Sequence, residues 1–253
     1  MTPYTIAIGG RNEASAGIRA LHVLRDELRA RGYQANMEYE GVIPDSIAVY
    51  PEIQGGNPLG ATRVARWLLG AAPDIPHDGP QFQWGGGMDP NNSPILCVDL
   101  LEPDLFHPNH GLERKGTGYW IGRGGSNWDM YGGWETVSDW DELPSSRGRF
   151  ATRADYAHWL AGLDLFISFD PYTAVITEAI TVGTPVLVLA DRKDPRRSIG
   201  IGNQWNLYGV AWSIELTKYA RDTVHLAHDH YREVCVPEFT KQIDHFVTLT
   251  QEL

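Results

Sequence analysis

The chain has 253 residues, of which 42% are hydrophobic and 21% are charged, a composition typical of a globular protein rather than a disordered or fibrous one. Its formal net charge of −11 argues against a protein that coats nucleic acid, because neutralising phosphates requires a concentrated Lys and Arg surface. Residues 1–10 lack the parts of a secretion signal, and apolar runs stay shorter than the roughly eighteen residues of a membrane span. We therefore expect a cytoplasmic protein without membrane insertion.

The first half of the chain alternates strand and helix patterns, which is typical of a parallel sheet covered by helices. Short β-rich apolar runs predict the strands, and apolar residues at helical spacing predict the helices. The predicted elements are a strand at 4–9, a helix ending at Gly32, strands at 36–40 and 46–53, and a helix at 57–72 with Pro58 near its first turn. Residues 73–94 are rich in Pro, Gly, Asp and Asn and predict a long loop, after which an apolar run resumes at 94–100.

The second half shows the same alternation without repeating the sequence of the first. Its predicted elements are a strand within 116–125, a helix at 151–163, a strand at 164–169, a helix at 173–183 and a strand at 184–191. The tryptophans and acids of residues 128–149 indicate a partly exposed loop or a short helix, and the choice between the two stays open. The tail predicts an amphipathic helix, because its apolar residues fall on one stripe formed by Phe239, Ile243, Phe246 and Leu249.

These patterns predict two similar α/β domains. We expect a first domain at 1–112, a second domain at 113–236, and a C-terminal helix at 237–253 that packs back on the first domain. Cys97 and Cys235 have no CxxC partner and lie in apolar or amphipathic surroundings, so buried free thiols are predicted.

Two acids flank the turn between the strand at 164–169 and the helix at 173–183. Asp170 stands at the carboxyl end of the strand, which is the edge where parallel sheets bind ligands. Glu178 lies about one and a half turns into the helix, so the two acids could contact different parts of one elongated ligand. The alternatives are that Asp170 only caps the helix and that Glu178 is a solvated helix residue.

The segment FISFDPYTAVITEAITVGTPVLVL resembles the donor-site segment of GT-B glycosyltransferases, in which an acid, seven residues and a glutamate precede a glycine-proline turn. A second segment, YPEIQGGNPLGATRVARWLL, resembles part of the first domain of the same superfamily. The resemblance implies a compact α/β chain with two Rossmann-like, doubly wound domains that face a central cleft. It also implies a metal-independent transferase that needs no cofactor and uses a nucleotide-sugar donor, UDP- or GDP-linked. Family members usually have Glu where this chain has Asp170, and they are longer, so recognition of the sugar stays open.

The resemblance also assigns roles to individual residues. Glu178 would bind the ribose hydroxyls, Asp170 the transferred sugar, and the backbone amides near Tyr172 and Thr173 the diphosphate. Because relatives with this acid pair retain the anomeric configuration, retention is expected. The donor-binding set is Gly9, Gly10, Gly122, Asp170, Tyr172, Thr173 and Glu178, the catalytic set is Arg123 and Asp170, and the acceptor-binding set is Arg11, Asn12 and Glu13.

Two glycine-rich loops offer groups for phosphate. Arg123 lies between glycines after a strand, where it could stabilise charge on a departing diphosphate, although an exposed arginine is the alternative. Gly9, Gly10 and Arg11 form a similar loop, for which a simple tight turn is the alternative. The basic segment 191–200 is interpreted as a solvated loop rather than a phosphate or polyanion contact.

Several functional choices stay open at this point. The histidines at 225, 228 and 230 lack a metal-binding motif, so no metal site is predicted. Glu13 and Asp99 are candidates for a catalytic base. The acceptor could be a glycan, a protein or a small molecule, whereas the acidic charge disfavours DNA. The rival functions are a sugar-nucleotide epimerase or hydrolase, a non-catalytic sugar-nucleotide or glycan binding protein, and a DNA-modifying transferase.

Overall fold

The computed structural model describes residues 1–8, 15–70, 78–84, 93–108, 110–122, 125–132, 141–142, 150–171, 173–189 and 208–253, with residues 126, 141 and 142 described by their backbone alone. The chain divides into two compact units. Unit 1 comprises Met1–Leu100 and Val236–Leu253, and unit 2 comprises Leu101–Cys235. Residues 101–112 belong to unit 2 instead of the first domain, because Phe106 packs there against Tyr156 at a centroid distance of 6.1 Å.

The strands, in chain order, are β1 (Tyr4–Ile6), β2 (Ala35–Met37), β3 (Ile47–Pro51), β4 (Arg63–Leu68), β5 (Gln81–Gln83), β6 (Thr117–Trp120), β7 (Asp141–Glu142), β8 (Leu165–Ser168), β9 (Val186–Val188) and β10 (Val210–Ala211). The α-helices are α1 (Ala16–Ala30), α2 (Gly125–Met130), α3 (Arg153–Ala161), α4 (Val175–Thr181), α5 (Thr217–Thr223), α6 (Ala227–His230) and α7 (Val236–Gln251). Shorter helical turns lie at Glu38–Glu40, Ile214–Leu216, Val224–Leu226 and Tyr231–Cys235.

Unit 1 contains a parallel sheet with the strand order β2-β1-β3-β4-β5. Its core joins the apolar stripe of α1 to that of α7, since Leu24, Leu28, Ile243 and Phe246 lie in one buried cluster with Trp67. The predicted amphipathic tail is thus a helix whose apolar stripe is buried in unit 1. Each Å² of apolar surface that is buried stabilises the folded chain by about 25 cal/mol, so this stripe is a main source of the stability of unit 1.

Two element predictions in unit 1 are wrong. The helix predicted at 57–72 is absent from the described residues 57–70, which instead contain the interior strand β4, with five of its six residues buried. A short apolar run that is buried on both faces cannot be told from a buried helix by periodicity alone. The predicted loop at 73–94 contains β5, which pairs with β4 through Arg66 and Gln81. Two of the three residues of β5 are glutamines, so the segment lacks the apolar run that predicts a strand.

Unit 2 contains a second parallel sheet, with the order β10-β9-β8-β6-β7. In each sheet the first strand along the chain lies between the second and the third, so both sheets share one strand order. This order is found in doubly wound α/β sheets, and it reverses direction between the first and third strands. The prediction of an α/β chain with two separate parallel sheets is confirmed, whereas the arrangement around a central cleft stays a prediction.

The local signals of unit 2 explain why its elements begin and end as predicted. Thr152 accepts a hydrogen bond from the Asp155 amide at 3.1 Å, and the Asp155 carboxylate accepts one from the Thr152 amide at 3.0 Å. This reciprocal capping box starts α3. Helix α4 ends before Gly183, whose φ of +84° is a conformation that glycine adopts without strain.

Candidate functional site

The carboxyl ends of β6 and β8 form the candidate site. Trp120 pairs with Ser168 at the ends of these strands, and the Phe169 amide donates to the Trp120 carbonyl at 2.9 Å. β6 and β8 are the first and third strands of their sheet, so the strand order reverses between them. In open parallel sheets, ligands bind outside the carboxyl ends at such a reversal. Asp170 and Gly122 follow these two strands directly.

Asp170 is held in place by the turn that follows β8. The Ser168 hydroxyl donates to the Asp170 carbonyl at 2.7 Å and accepts from the Asp170 amide at 3.3 Å. From α2, the Asn127 side-chain amide donates to the Phe169 carbonyl at 2.8 Å. Asp170 itself is only 5% exposed. These contacts fix the backbone of Asp170 at the strand edge, which is the first requirement for a preorganised binding group.

The alternative that Asp170 caps the following helix is wrong. The N-cap position of α4 is Ala174, and the Val175 amide approaches the Thr173 hydroxyl oxygen at 3.4 Å. A helix cap therefore does not explain the buried carboxylate of Asp170.

Gly122 approaches both Trp120 and Asp170 more closely than any other residue type could. Its φ is +53°. A Cβ atom at this position would lie 2.3 Å from Nε1 of Trp120 and 2.7 Å from Oδ2 of Asp170. Both distances are shorter than van der Waals contact, so glycine is required for the indole and the carboxylate to flank this turn.

Glu178 lies in the packing of α3 against α4. It is 1% exposed, so the alternative of a solvated helix residue is wrong. Its Oε2 accepts a hydrogen bond from the Tyr156 hydroxyl at 2.8 Å, and its Oε1 accepts one from Nη2 of Arg153 at 3.1 Å. These two bonds tie the Glu178 side chain on α4 to α3.

Arg153 links Glu178 to a second acid. Its Nε donates to Oε1 of Glu102 at 3.1 Å, and its guanidinium lies 4.6 Å from the centroid of the Phe106 ring. Burial lowers the pKa of Arg153, but the negative charges of Glu178 and Glu102 outweigh burial and raise it overall. The arginine therefore stays charged and holds the Glu178 side chain in one orientation.

Most of the predicted glycine-loop residues lie outside the described part of the chain. These are Gly9, Gly10, Arg11, Asn12, Glu13, Arg123 and Tyr172, together with the basic segment 191–200. The structure brings Gly122 and Asp170 together and places Thr173 at the start of α4. The roles assigned to all these residues stay predictions.

Sequence reasoning missed four residues that shape this region, namely Trp120, Asn127, Arg153 and Tyr156. Arg153 and Tyr156 are three residues apart on α3 and so share a face, which is a signal that could have identified them as a pair. The closeness of Trp120 to Gly122 has no such signal, because it depends on the side-chain orientation at the end of β6.

The predicted free thiols are confirmed, since Cys97 and Cys235 are both buried and unpaired with each other. Within the described ranges, no group of three or more His, Cys, Asp or Glu side chains is arranged to hold a metal ion. The helices described here all fall short of the length and apolar character needed to cross a membrane.

The fold and this strand edge together define an α/β protein with a candidate ligand site in unit 2. No family model and no curated protein matches the chain. Among solved structures, the glycosyltransferase SnogD from Streptomyces nogalater is similar at 12% identity and a TM-score of 0.46, covering 99% of this chain and 99% of that chain. The spinosyn forosaminyltransferase SpnP is similar at 10% identity and a TM-score of 0.41, covering 96% of this chain and 95% of that one. The spinosyn rhamnosyltransferase SpnG, complexed with thymidine diphosphate, is similar at 11% identity and a TM-score of 0.41, with 96% of each chain covered. Similarities this weak do not define a family or an activity for this chain.

Proposed function

We propose that this chain is a glycosyltransferase that takes a sugar from a nucleotide-sugar donor and passes it to an acceptor hydroxyl. The position of Asp170 carries this proposal. Asp170 is 5% exposed and lies where the strand order of the second sheet reverses, beside Gly122, at which a Cβ atom would lie 2.7 Å from its Oδ2. This position agrees with the sugar-contact role that the sequence resemblance implies for the first acid of the pair.

A carboxylate suits a saccharide because it accepts hydrogen bonds from hydroxyl groups. Such charge-assisted bonds are worth about 1.5–3 kcal/mol each. Asp170 would orient the transferred sugar, so that the bond between its anomeric carbon and the diphosphate can break. Its fixed position at the strand edge means that little orientation is lost when the sugar binds.

The proposed reaction exchanges one bond at the anomeric carbon for another. The bond to the diphosphate oxygen breaks, the acceptor oxygen bonds to the same carbon on the same face, and the acceptor proton passes to the departing diphosphate. Arg123 and the amides near Tyr172 and Thr173 would stabilise the charge that grows on the leaving group. No metal or cofactor is needed for this balance.

Glu178 is proposed as the ribose ligand. Arg153 and Tyr156 each bind one of its oxygens, at 3.1 and 2.8 Å, and so prevent the side chain from rotating. In this proposal the Glu178 carboxylate accepts a hydrogen bond from a ribose hydroxyl. Arg11, Asn12 and Glu13 in unit 1 are proposed to contact the acceptor.

The test of this function is a thermal-shift screen against UDP-, GDP-, ADP- and dTDP-sugars. A specific donor at 100 times its Kd should stabilise the folded chain by about 2.7 kcal/mol. The stabilising donor is then incubated with candidate acceptors, and NMR of the product reports its anomeric configuration. Failure of all four donor classes to stabilise the chain would contradict the proposal, and turnover without any acceptor would indicate an epimerase or hydrolase.

The variant Asp170→Asn tests the residue that carries the proposal. It keeps the size of the side chain but removes the charge, so the transfer rate should fall by roughly 100-fold, which corresponds to about 2.7 kcal/mol. The fold should remain, because the substitution keeps the size of the side chain. Circular dichroism and the melting temperature check this. A transfer rate equal to that of the unmodified chain would remove Asp170 from the site.

A further inference from the structure

The end of β6 carries a hydrogen-bond donor that the structure leaves unused. Nε1 of Trp120 is buried and has no hydrogen-bond partner among the described residues. Buried donors are paired in the large majority of cases, so an unpaired one calls for a physical explanation. Trp67 in β4 shows the usual arrangement, since its Nε1 donates to the Leu96 carbonyl at 2.9 Å.

The unused indole N–H lies close to the candidate site. Nε1 of Trp120 and Oδ2 of Asp170 lie 2.3 and 2.7 Å from one point, the position that a Cβ atom would take on Gly122. The two atoms are therefore no more than about 5 Å apart. A group that only donates and a group that accepts thus both lie close to Gly122.

This upper limit is within the reach of one bridging hydroxyl group. An oxygen at about 2.9 Å from a nitrogen donor and about 2.7 Å from a carboxylate oxygen can bridge atoms that are up to about 5.6 Å apart. A hydroxyl accepts from the indole and donates to the carboxylate at the same time. An ammonium group cannot accept from the indole, and a phosphate would be repelled by the carboxylate.

We propose that Trp120 is a binding residue for the sugar of the donor, and that one sugar hydroxyl is held between its indole N–H and Asp170. This inference rests on the proposed function and names the part of the donor that the turn recognises. Because Nε1 is shielded from solvent, entry of the hydroxyl requires a local shift at the Gly122 turn. A sugar that lacks the hydroxyl would leave the buried indole N–H of Trp120 without an acceptor and would bind more weakly.

The experiment compares Trp120→Phe with Trp67→Phe, because both variants remove an indole N–H from a β-strand. The probes are the sugar nucleotide that stabilises the chain most in the four-donor screen and the nucleoside diphosphate of the same base, each titrated by calorimetry. Trp120→Phe should weaken the sugar nucleotide by about 10-fold and change the nucleoside diphosphate by less than about twofold. Its melting temperature should fall less than that of Trp67→Phe, since both variants lose ring atoms but the N–H of Trp120 has no partner to lose.

Trp67→Phe should behave in the opposite way. It breaks a buried hydrogen bond that is made, so its melting temperature should fall while both affinities stay the same. Equal affinity of Trp120→Phe and the unmodified chain for the sugar nucleotide would overturn the inference, as would an equal loss for the nucleoside diphosphate.

A second measurement decides the inference even if Trp120→Phe folds poorly. The indole N–H signals of the unmodified, ¹⁵N-labelled chain are recorded by NMR. The Trp120 signal is identified as the one absent from Trp120→Phe or, if that variant folds poorly, through triple-resonance spectra. Adding the sugar nucleotide should shift this signal downfield, and adding the nucleoside diphosphate should not. A sugar nucleotide that binds without moving the signal would refute the role of Trp120.

Failure of the proposed function can be told apart from failure of this inference. If none of the four donor classes binds, the transferase proposal fails, and the same NMR signal is then titrated with free glucose, galactose and mannose. A downfield shift would retain a saccharide site at Trp120 and Asp170, and a constant signal would overturn it.

Discussion

Glu178→Gln tests whether the buried acid of α4 is held as the structure shows. The substitution removes the negative charge but nearly preserves the shape of the side chain. The amide oxygen can still accept from Tyr156, whose hydroxyl lies 2.8 Å from the carboxylate. The amide nitrogen of the variant, however, cannot accept a hydrogen bond from Arg153, which in the unmodified chain donates to the carboxylate at 3.1 Å.

The expected loss follows from the burial of the pair. Removing one partner of a buried ion pair costs about 3–5 kcal/mol, because the other charge is left without compensation. Glu178 is 1% exposed, but the Arg153 side chain is 27% exposed and keeps Glu102 as a second partner. We therefore expect the free energy of unfolding to fall by about 3 kcal/mol, the lower end of that range.

The assay is urea denaturation followed by circular dichroism, with Glu102→Gln as the matched control. Glu102 binds the same guanidinium at the same distance of 3.1 Å, but its side chain is 48% exposed. Exposed pairs contribute at most about 1 kcal/mol, so the control should lose little stability. Equal losses in the two variants would refute the reasoning from burial.

The same Glu178 variant tests the proposed ribose contact through a separate measurement. Loss of a charged acceptor should weaken the nucleotide-sugar donor by about 10-fold, or about 1.4 kcal/mol, in calorimetry at a temperature where the variant is folded. Unchanged affinity alongside reduced stability would assign Glu178 a structural role only. Glu102→Gln should leave the affinity unchanged.

Two further predictions concern the Gly122 turn and the buried arginine of unit 1. Gly122→Ala should destabilise the chain by about 2 kcal/mol, because alanine would have to adopt a left-handed conformation and its Cβ would clash with Asp170. The control is Gly125→Ala, whose Cβ meets no atom within 4 Å, so this variant should be neutral or stabilising. Equal melting temperatures of the two variants would contradict the close approach at Gly122. The hydrogen bond from Arg66 lowers the pKa of Asp78 below its ordinary value of 3.8, so the stability that this pair contributes is present above that value and is lost as pH falls through the lower pKa of the folded state. Asp78→Asn should therefore flatten the acid side of the stability profile measured by urea denaturation at pH 2 to 6, and parallel profiles for the two chains would contradict the assignment.

Hydrophobic periodicity and helix-end residues in the sequence predicted most of the strands and helices. The strands β1, β3, β6, β8 and β9 and the helices α1, α3, α4 and α7 all coincide with predicted elements. The capping pair Thr152 and Asp155 and the positive φ of Gly183 show why, since helix ends depend on residues near in sequence. The second strand is shorter than predicted, because the chain turns into a helical turn at Glu38–Glu40.

The errors fell on segments whose structure depends on distant partners. β4 was mistaken for a helix because its burial comes from residues outside the segment. Ala65 and Trp67 lie in one cluster with residues of α1 and α7, and Val64 lies in a second cluster with Ala48 and Tyr50. Arg66 illustrates the difficulty, since a buried arginine in an interior strand needs partners from elsewhere in the chain. Asp78 binds its guanidinium through two bonds, at 2.6 and 2.7 Å, and the Gln54 and Gly56 carbonyls accept two more. β5 was missed because a polar strand is recognised only through its neighbours.

The candidate site also has one part that the sequence predicted and one part that only the structure shows. The edge position of Asp170 could be read from the order of an apolar strand, an acid and a helix, because this order alone places the acid at a carboxyl end. The engagement of Glu178 by Arg153 and Tyr156, and the closeness of Trp120 to Gly122, required the packing of the surrounding elements.

The amino-acid sequence by itself determined the alternation of strands and helices, the free thiols and the strand-end position of one acid, because each depends on periodicity, composition or neighbours along the chain. Only the tertiary structure decided the strand order, the burial of β4 and the partners of Glu178. These depend on contacts between residues far apart in sequence, whose energies arise only when the elements pack together.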